Sequence, residues 1–242
     1  MQREYQKRQS KEEGKNMQKI EIKQKELKFH ISEAYKTLRT NVQLCGEDIK
    51  VIALTSCIPN EGKTSISFQL AISMTEDGKK VLFIDADVRK SVLVGRYQIT
   101  TKDLKGLTQY LSGQSKWKDI IYQTDIENLD VILTGPVPPN PSELLGGKYF
   151  KELIATQREQ YDIIIIDTPP LGSVIDSVVV ARECDGIILV IAAEEVGYKF
   201  AMKVKEQLDV AGCKILGVVL NKLKFKTGGK YYGKYYSKYY GE

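Results

Sequence analysis

Six runs of apolar residues, each of strand length, are spread along the chain from residue 51 onward. Polar residues hardly interrupt them, which is typical of strands buried on both faces, as in a parallel sheet. We therefore predict strands at Val51–Leu54, Val81–Ile84, Val131–Leu133, Ile163–Ile166, Ile187–Ile191 and Ile215–Leu220.

Segments with helical periodicity separate these runs. We predict helices over Thr64–Thr75, over Leu144–Gln157 with Ser142 as its cap, over Phe200–Val210, and a short one over Leu104–Leu111. Strands that alternate with helices predict an α/β fold: a doubly wound, mainly parallel sheet flanked by helices, with ligands at the carboxyl ends of the strands.

The two ends of the chain differ from its middle. Residues 1–28 are rich in Lys, Gln and Glu and are expected to form a mobile basic arm, and residues 225–242 are expected to form a flexible tyrosine-rich tail. Residues 29–224 are the predicted folded domain. The net charge of +5 arises in the ends, since the first 28 residues carry about +4 and residues 221–242 about +5, which leaves the body near −4.

Composition narrows the setting and the chemistry. No run of about 18 apolar residues and no apolar signal core is present, so we expect a cytoplasmic protein. The four cysteines are scattered without a C-x-x-C pair, and the single histidine has no nearby ligands, so neither a disulfide framework nor a zinc site is predicted.

A phosphate-binding loop is predicted between the first strand and the first helix. The residues Cys57-Ile58-Pro59-Asn60-Glu61-Gly62-Lys63-Thr64 follow the G-x-x-x-x-G-K-T pattern except at its first position. Backbone N–H groups would cradle the phosphates, Lys63 would reach the β- and γ-phosphates, and Thr64 would bind Mg²⁺. The predicted nucleotide-binding residues of the loop are Pro59, Asn60, Glu61, Gly62, Lys63, Thr64 and Ser65.

Two further strands end in acidic residues. The sequence Asp85-Ala86-Asp87-Val88-Arg89 follows one of them, and Asp167 ends another as a Walker-B aspartate does. The carboxyl ends of these strands meet at one edge of the sheet, which would bring Asp85, Asp87, Asp167 and Arg89 to the loop. Asn221, at the end of the last strand, has two open interpretations: contact with the adenine ring, or simply the start of the tail.

The motifs together resemble the bacterial tyrosine kinases of the CpsD/CapB type, whose kinase is a chain separate from its membrane activator. The resemblance lies in the P-x-E-G-K-T loop, the D-x-D-x-R strand end, the apolar-D-T-P-P strand end and the terminal tyrosines. Members usually carry Gly where Asn60 stands. The related MinD/ParA ATPases resemble one another in a lysine early in a K-G-G-x-G-K-T loop, and here that position is Ile58.

The resemblance implies an ATP- and Mg²⁺-dependent protein-tyrosine kinase that phosphorylates its own tail between subunits and regulates capsular or exopolysaccharide synthesis. Asp87 would be the base, with Lys63 on the phosphates and Thr64, Asp85 and Asp167 on the metal side. The tail tyrosines come as three pairs spaced by four residues: Tyr231, Tyr232, Tyr235, Tyr236, Tyr239 and Tyr240.

The same resemblance implies partners. Glu33, Lys36 and Arg39 share helical spacing and match the family's ring-forming E-x-x-R-x-x-R helix, with Lys in place of the first Arg. A membrane adaptor that recruits the chain to the inner face of the cell membrane, and a phosphotyrosine phosphatase, are expected; nucleic acid is not. The alternative is a MinD/ParA-like regulatory ATPase whose basic aromatic tail binds nucleic acid or membrane.

Overall fold

The computed structural model describes residues 18–24, 26–100 and 104–223. They form an eight-stranded sheet with helices on both faces, as the strand and helix pattern predicts. The strands are β1 (Lys19–Ile20), β2 (Val51–Ser56), β3 (Val81–Asp85), β4 (Ile121–Thr124), β5 (Leu129–Ile132), β6 (Ile163–Asp167), β7 (Gly186–Ala192) and β8 (Ile215–Asn221).

The strand order places the three motif-bearing strands side by side. The order is β1-β4-β5-β3-β6-β2-β7-β8, and every pair is parallel except β4 with β5, which is antiparallel. Strands β3, β6 and β2 are adjacent at the centre, so their carboxyl ends lie at one edge of the sheet. The predicted mainly parallel, doubly wound sheet is therefore confirmed.

Helices cover the two faces of this sheet. The helices are α1 (Phe29–Gln43), α2 (Lys63–Glu76), α3 (Leu93–Arg96), α4 (Leu107–Leu111), α5 (Pro141–Leu145), α6 (Lys148–Arg158), α7 (Asp176–Ala181) and α8 (Tyr198–Val210). Apolar side chains of β2, β3, β6 and β7 point alternately into two cores, one under α1, α2 and α3 and the other under α4 to α8.

The prediction of one continuous helix over Leu144–Gln157 is wrong. Two helices, α5 and α6, occupy this stretch because Gly147 has an extended backbone (φ −77°, ψ 169°) that interrupts the helical hydrogen bonds. Ser142 does not cap the helix, since α5 starts after Asn140; its hydroxyl instead donates a hydrogen bond to Asp176 Oδ1 at 2.5 Å.

The end of the predicted N-terminal arm is packed on the domain. Strand β1 pairs in parallel with β4, and Ile20 and Ile22 are buried in the core next to α1. The backbone N–H of Ile22 also donates to Asp125 Oδ1 at 2.9 Å. Strand β1 thus extends the sheet from within the stretch that was expected to be a mobile arm. Residues 1–17 and the tail from residue 224 lie outside the described residues.

Within the described part of the chain, none of the helices combines the length and apolarity needed to span a bilayer.

Candidate active site

The phosphate loop runs from the end of β2 to the start of α2. Two of its residues have left-handed backbone conformations, Asn60 (φ 69°) and Gly62 (φ 87°). Asn tolerates this conformation better than other residues with a side chain, so Asn60 fits a position where the family that the sequence resembles usually carries Gly. Gly62 cannot be replaced by a residue with a side chain in this arrangement, because an added Cβ would lie 2.2 Å from Asn221 Nδ2.

The lysine of the loop is paired with the aspartate at the end of β6. Lys63 Nζ lies 2.6 Å from Asp167 Oδ1, and both side chains are almost fully buried, at 6% and 1% exposure. Ser67, one helical turn after Lys63, donates to the same carboxylate oxygen at 3.0 Å, and Thr64 Oγ1 lies 3.4 Å from Lys63 Nζ. Among the described residues, the other oxygen, Asp167 Oδ2, is buried and has no hydrogen-bond partner.

Asp85 lies beside Asp167, because the two residues are opposite each other in the β3–β6 pairing. Burial, and next the charge of Asp167, raise the pKa of Asp85 to about 8. Ser91 Oγ donates a hydrogen bond to Asp85 Oδ2 at 2.5 Å, which opposes the rise. Burial and the neighbouring Asp167 carboxylate therefore both favour the protonated form of Asp85.

Asp87 lines the cavity in front of the loop and is only partly buried. Its Oδ1 accepts the backbone N–H of Lys90 at 3.1 Å, which fixes the carboxylate. Burial raises its pKa, and the positive charge of Lys63 partly offsets this rise. A partly exposed carboxylate of raised pKa at the cavity wall is suited to accept a proton.

The cavity itself has a volume of about 220 Å³ and a wall rich in positive charge. The four cations that line it are Lys63, Arg89, Lys90 and Arg96, opposed there by Asp87 and by Glu61. The other lining residues are Ser56, Pro59, Asn60, Gly62, Thr64, Val92, Pro169, Pro170, Ser173 and Val174. A cationic wall next to a loop of backbone N–H groups is suited to bind a phosphate chain.

Arg89 is held by a residue that the sequence motifs did not indicate. Its Nε and Nη2 donate to the two carboxylate oxygens of Asp176 at 2.6 and 3.0 Å, and Nη2 also donates to Ser142 Oγ at 3.2 Å. Asp176 is fully buried, and these hydrogen bonds lower its pKa despite the burial. The guanidinium is thus fixed at the cavity wall.

Two predicted nucleotide-binding residues brace the loop from within. Both carboxylate oxygens of Glu61 accept backbone N–H groups, and its carbonyl oxygen accepts Nδ2 of Asn221 at 2.8 Å. Asn221 thus uses one N–H of its side-chain amide to hold the loop, and its contact with the adenine ring stays a prediction. The hydroxyl oxygen of Ser65 accepts a hydrogen bond from Nη1 of Arg96, a residue of the cavity wall.

The predicted oligomerisation residues on α1 do not present one common free face. Lys36 Nζ forms an exposed salt bridge with Glu33 Oε1 at 2.6 Å. Arg39 turns toward α2, where its Nη1 donates to the carbonyl oxygen of Ser73 at 2.5 Å and lies 4.0 Å from Glu76 Oε2. The six tail tyrosines lie outside the described residues.

Sequence reasoning brought the main charged groups together but missed three supporting ones. Ser67 had a usable signal, since it lies four residues after Lys63 on the same helix. Ser91 and Asp176 had none, because a lone Ser in a loop or a lone Asp at the start of a short helix carries no motif. In the described ranges, groups of three or more His, Cys, Asp or Glu side chains close enough to hold a metal are absent, so a metal here would rest on two carboxylates and a hydroxyl.

Comparison with known proteins places this site in context. A family model described as an AAA domain matches residues 49–209. The tyrosine-protein kinase CpsD of Streptococcus pneumoniae is 46% identical over 209 residues, covering 86% of this chain and 92% of that protein.

Solved structures show the same likeness. The crystal structure of the chimerical protein CapA2B2 superposes with a TM-score of 0.78 at 31% identity, covering 89% of this chain and 98% of the other. The septum site-determining protein MinD from Pyrococcus horikoshii, complexed with Mg-ADP, gives a TM-score of 0.58 at 29% identity, covering 71% of this chain and 69% of MinD.

Proposed function

The chain belongs to the bacterial tyrosine-protein kinase family, and we propose that it transfers the γ-phosphoryl group of ATP to tyrosines of its own tail, mainly between subunits. The chain is a nucleotide-binding protein-tyrosine kinase. One observation carries the finer proposal: Lys63, Thr64 and Asp87 line a single cavity of about 220 Å³, and Lys63 is bonded to Asp167, which lies opposite Asp85 in the sheet.

The residues at the strand ends fit a magnesium ion. Asp167 Oδ2 is buried without a partner among the described residues, and Asp85 stands beside it with a hydroxyl, that of Thr64, nearby in the loop. Two carboxylates and a hydroxyl are oxygen ligands of the kind that Mg²⁺ prefers. Bound there, Mg²⁺ would neutralise charge on the β- and γ-phosphates.

Nucleotide binding requires Lys63 to exchange partners. In this structure its ammonium neutralises Asp167 at 2.6 Å. A lysine of a phosphate loop reaches the β- and γ-phosphates, so Lys63 leaves Asp167 as the triphosphate enters, and the freed carboxylate becomes available as a ligand. Until the nucleotide binds, Lys63 and Asp167 neutralise each other's charge.

Asp87 serves as the general base. A tyrosine hydroxyl has an ordinary pKa near 10 and is a weak nucleophile at neutral pH. As its oxygen bonds to the γ-phosphorus, the bond from that phosphorus to the bridging oxygen of ADP breaks, and the hydroxyl proton passes to the Asp87 carboxylate. Lys63 stabilises the charge that develops on the leaving ADP.

The tail supplies the acceptors and changes its charge as it reacts. It spans at most about 3.3 Å per residue, on the order of 55 Å from residue 226 to 242, enough to reach a neighbouring subunit. Each phosphate adds about −1.5 to −2 charges, so six would change residues 221–242 from +5 to between about −4 and −7. This reversal would release subunits or partners that the unmodified tail holds.

Control of capsular or exopolysaccharide synthesis is the process that the relatives' names suggest. We assign the chain a membrane adaptor of the polysaccharide co-polymerase type, which recruits it to the inner face of the membrane, and a phosphotyrosine phosphatase that resets the tail. Subunits would assemble as a ring through α1, with the exposed Glu33–Lys36 pair facing the neighbour. Pull-down of an adaptor from membranes tests the first assignment, and a fully active isolated kinase would contradict it.

Phosphotyrosine mapping tests the kinase reaction. The purified chain is incubated with Mg-ATP, with and without the adaptor's cytoplasmic segment, beside Lys63→Met and the control Lys205→Met, whose lysine forms an exposed bridge to Asp209. We expect tail phosphotyrosine in the parent and control only. To test transfer between subunits, a variant with all six tail tyrosines changed to Phe is mixed with Lys63→Met, and phosphate should appear on the latter. An unmodified tail in every mixture would refute the reaction.

A further inference from the structure

The carboxylate of Glu61 is used entirely inside the protein. The residue is 1% exposed although it belongs to the phosphate loop. Its Oε2 accepts the backbone N–H of Ile58, three residues earlier in the same loop, at 2.8 Å. Its Oε1 accepts the backbone N–H of Ala192, the last residue of β7, also at 2.8 Å. One side chain thus ties the loop to itself and to the sheet.

The backbone of the same residue is bound from the next strand. The carbonyl oxygen of Glu61 accepts Nδ2 of Asn221, the last residue of β8, at 2.8 Å. The close approach of this amide is why residue 62 has to be glycine, since a Cβ there would lie 2.2 Å from Nδ2. The last residues of β7 and β8 are therefore both hydrogen-bonded to the loop two residues before Lys63.

From these contacts we infer that Glu61 is a positioning residue for the phosphate loop, which its carboxylate holds in the binding conformation before the nucleotide arrives. The inference rests on the nucleotide site of the proposed function. The Glu61 carboxylate lies in the wall of an anion site, where a negative charge repels phosphate unless hydrogen-bond donors of the protein compensate it. Here two N–H donors engage it, and the remaining loop N–H groups are left for the ligand.

The chemistry predicts what a neutral isostere would do. Gln has the shape of Glu but offers one acceptor oxygen and one NH₂ group, so in Glu61→Gln one of the two backbone N–H groups would face another donor. The loop would have to move to relieve this contact. Since the loop positions the phosphates, the substitution should weaken the binding of phosphate-bearing ligands more than it changes any other property of the protein.

The test measures binding of a fluorescent mant-ATP with Mg²⁺ to the full chain. For Glu61→Gln we expect the Kd to rise at least about tenfold, the usual size of an unmet buried hydrogen bond. The control Glu127→Gln makes the same chemical change at an exposed glutamate and should leave the Kd unchanged. A parent that fails to bind mant-ATP would refute the proposed function itself, whereas a parent that binds and a Glu61→Gln variant of equal affinity would refute only this inference.

A second readout separates positioning from general stability. A positioning role raises KM for ATP while kcat at saturating ATP stays within about threefold, because bound ATP restores the loop. A lower melting temperature with an unchanged KM would mark Glu61 as merely structural and overturn the inference. If Glu61→Gln does not fold by circular dichroism, Glu61→Asp, which keeps the carboxylate on a shorter side chain, is judged on the same KM criterion; unfolding of both variants would equally overturn it.

Discussion

Replacing Lys63 by Met should destabilise the nucleotide-free protein as well as abolish activity. The ammonium and the Asp167 carboxylate lie 2.6 Å apart with side-chain exposures of 6% and 1%, and Asp85 is directly beside them. Removing one partner of a buried ion pair costs about 3 to 5 kcal/mol, because the other charge stays buried and uncompensated. Met fills most of the aliphatic volume of Lys, so this cost is mainly electrostatic.

Thermal unfolding without nucleotide at pH 8 measures this cost. For a domain of this size each kcal/mol changes the melting temperature by about 2 to 4 °C, so we expect a decrease of about 6 to 20 °C for Lys63→Met. The control is Lys205→Met, which breaks an ion pair of similar length, 2.5 Å, between side chains that are about half exposed. Exposed helical pairs of this spacing contribute about 0.3 to 0.5 kcal/mol, so the control should melt within about 2 °C of the parent.

A double variant decides whether the buried charge is the cause. Asp167→Asn keeps the shape of the side chain and removes its charge, so Lys63→Met with Asp167→Asn should recover more than half of the lost stability. Phosphorylation should stay absent in both. The reasoning is refuted if Lys63→Met melts with the parent, or if the second substitution recovers nothing.

Three further predictions concern the other acidic residues of the site. Asp87→Asn should lower kcat by about 10²- to 10⁴-fold while the Kd for mant-ATP stays within about threefold, and an equal loss of binding would remove Asp87 from the role of base. Because burial raises the pKa of Asp85 to about 8, its contribution to the stability of the nucleotide-free protein is fully present below about pH 4 and is lost as pH rises through 8. Urea unfolding should therefore show that the free energy of unfolding decreases less between pH 4 and 8 in Asp85→Asn than in the parent. Asp176→Asn should lower the free energy of unfolding by about 1 to 3 kcal/mol, because the charge-assisted hydrogen bonds from Arg89 are weakened, and unchanged urea melts would contradict this.

The central strands were predictable because burial on both faces leaves a strong mark on the sequence. The run at Ile163–Ile166 is apolar at every position and is fully flanked by neighbouring strands, so no other environment suits it. Strand β4, with the sequence IYQT, leaves no such mark, since it is short and half polar. Strand β1 has two residues and exists through its pairing with β4, a contact about 100 residues away that no local pattern reveals.

The site was predictable to the extent that topology delivers it. Parallel strands bring their carboxyl ends to one edge, so Asp85, Asp87 and Asp167 had to meet the loop once the strands were recognised. The pairing of Lys63 with Asp167 was not predicted, because the motif describes only the contact of the lysine with phosphates. The hydrogen bonds from Arg89 to Asp176 join residues that are 87 positions apart, and they depend on the path of a loop, which the sequence does not reveal.

The likeness to MinD shows why the sheet alone leaves the function open, since one fold supports different chemistry. At the loop position where the MinD/ParA pattern has its early lysine, this chain has Ile58, a partly buried side chain that packs against the core and whose backbone N–H donates to Glu61. Besides Lys63, the cations of the cavity wall are instead Arg89, Lys90 and Arg96, all from the segment that follows β3. That segment also carries Asp87, so in this chain the same stretch that provides the proposed base supplies most of the charge that attracts the phosphates, and a change in its path would alter both together.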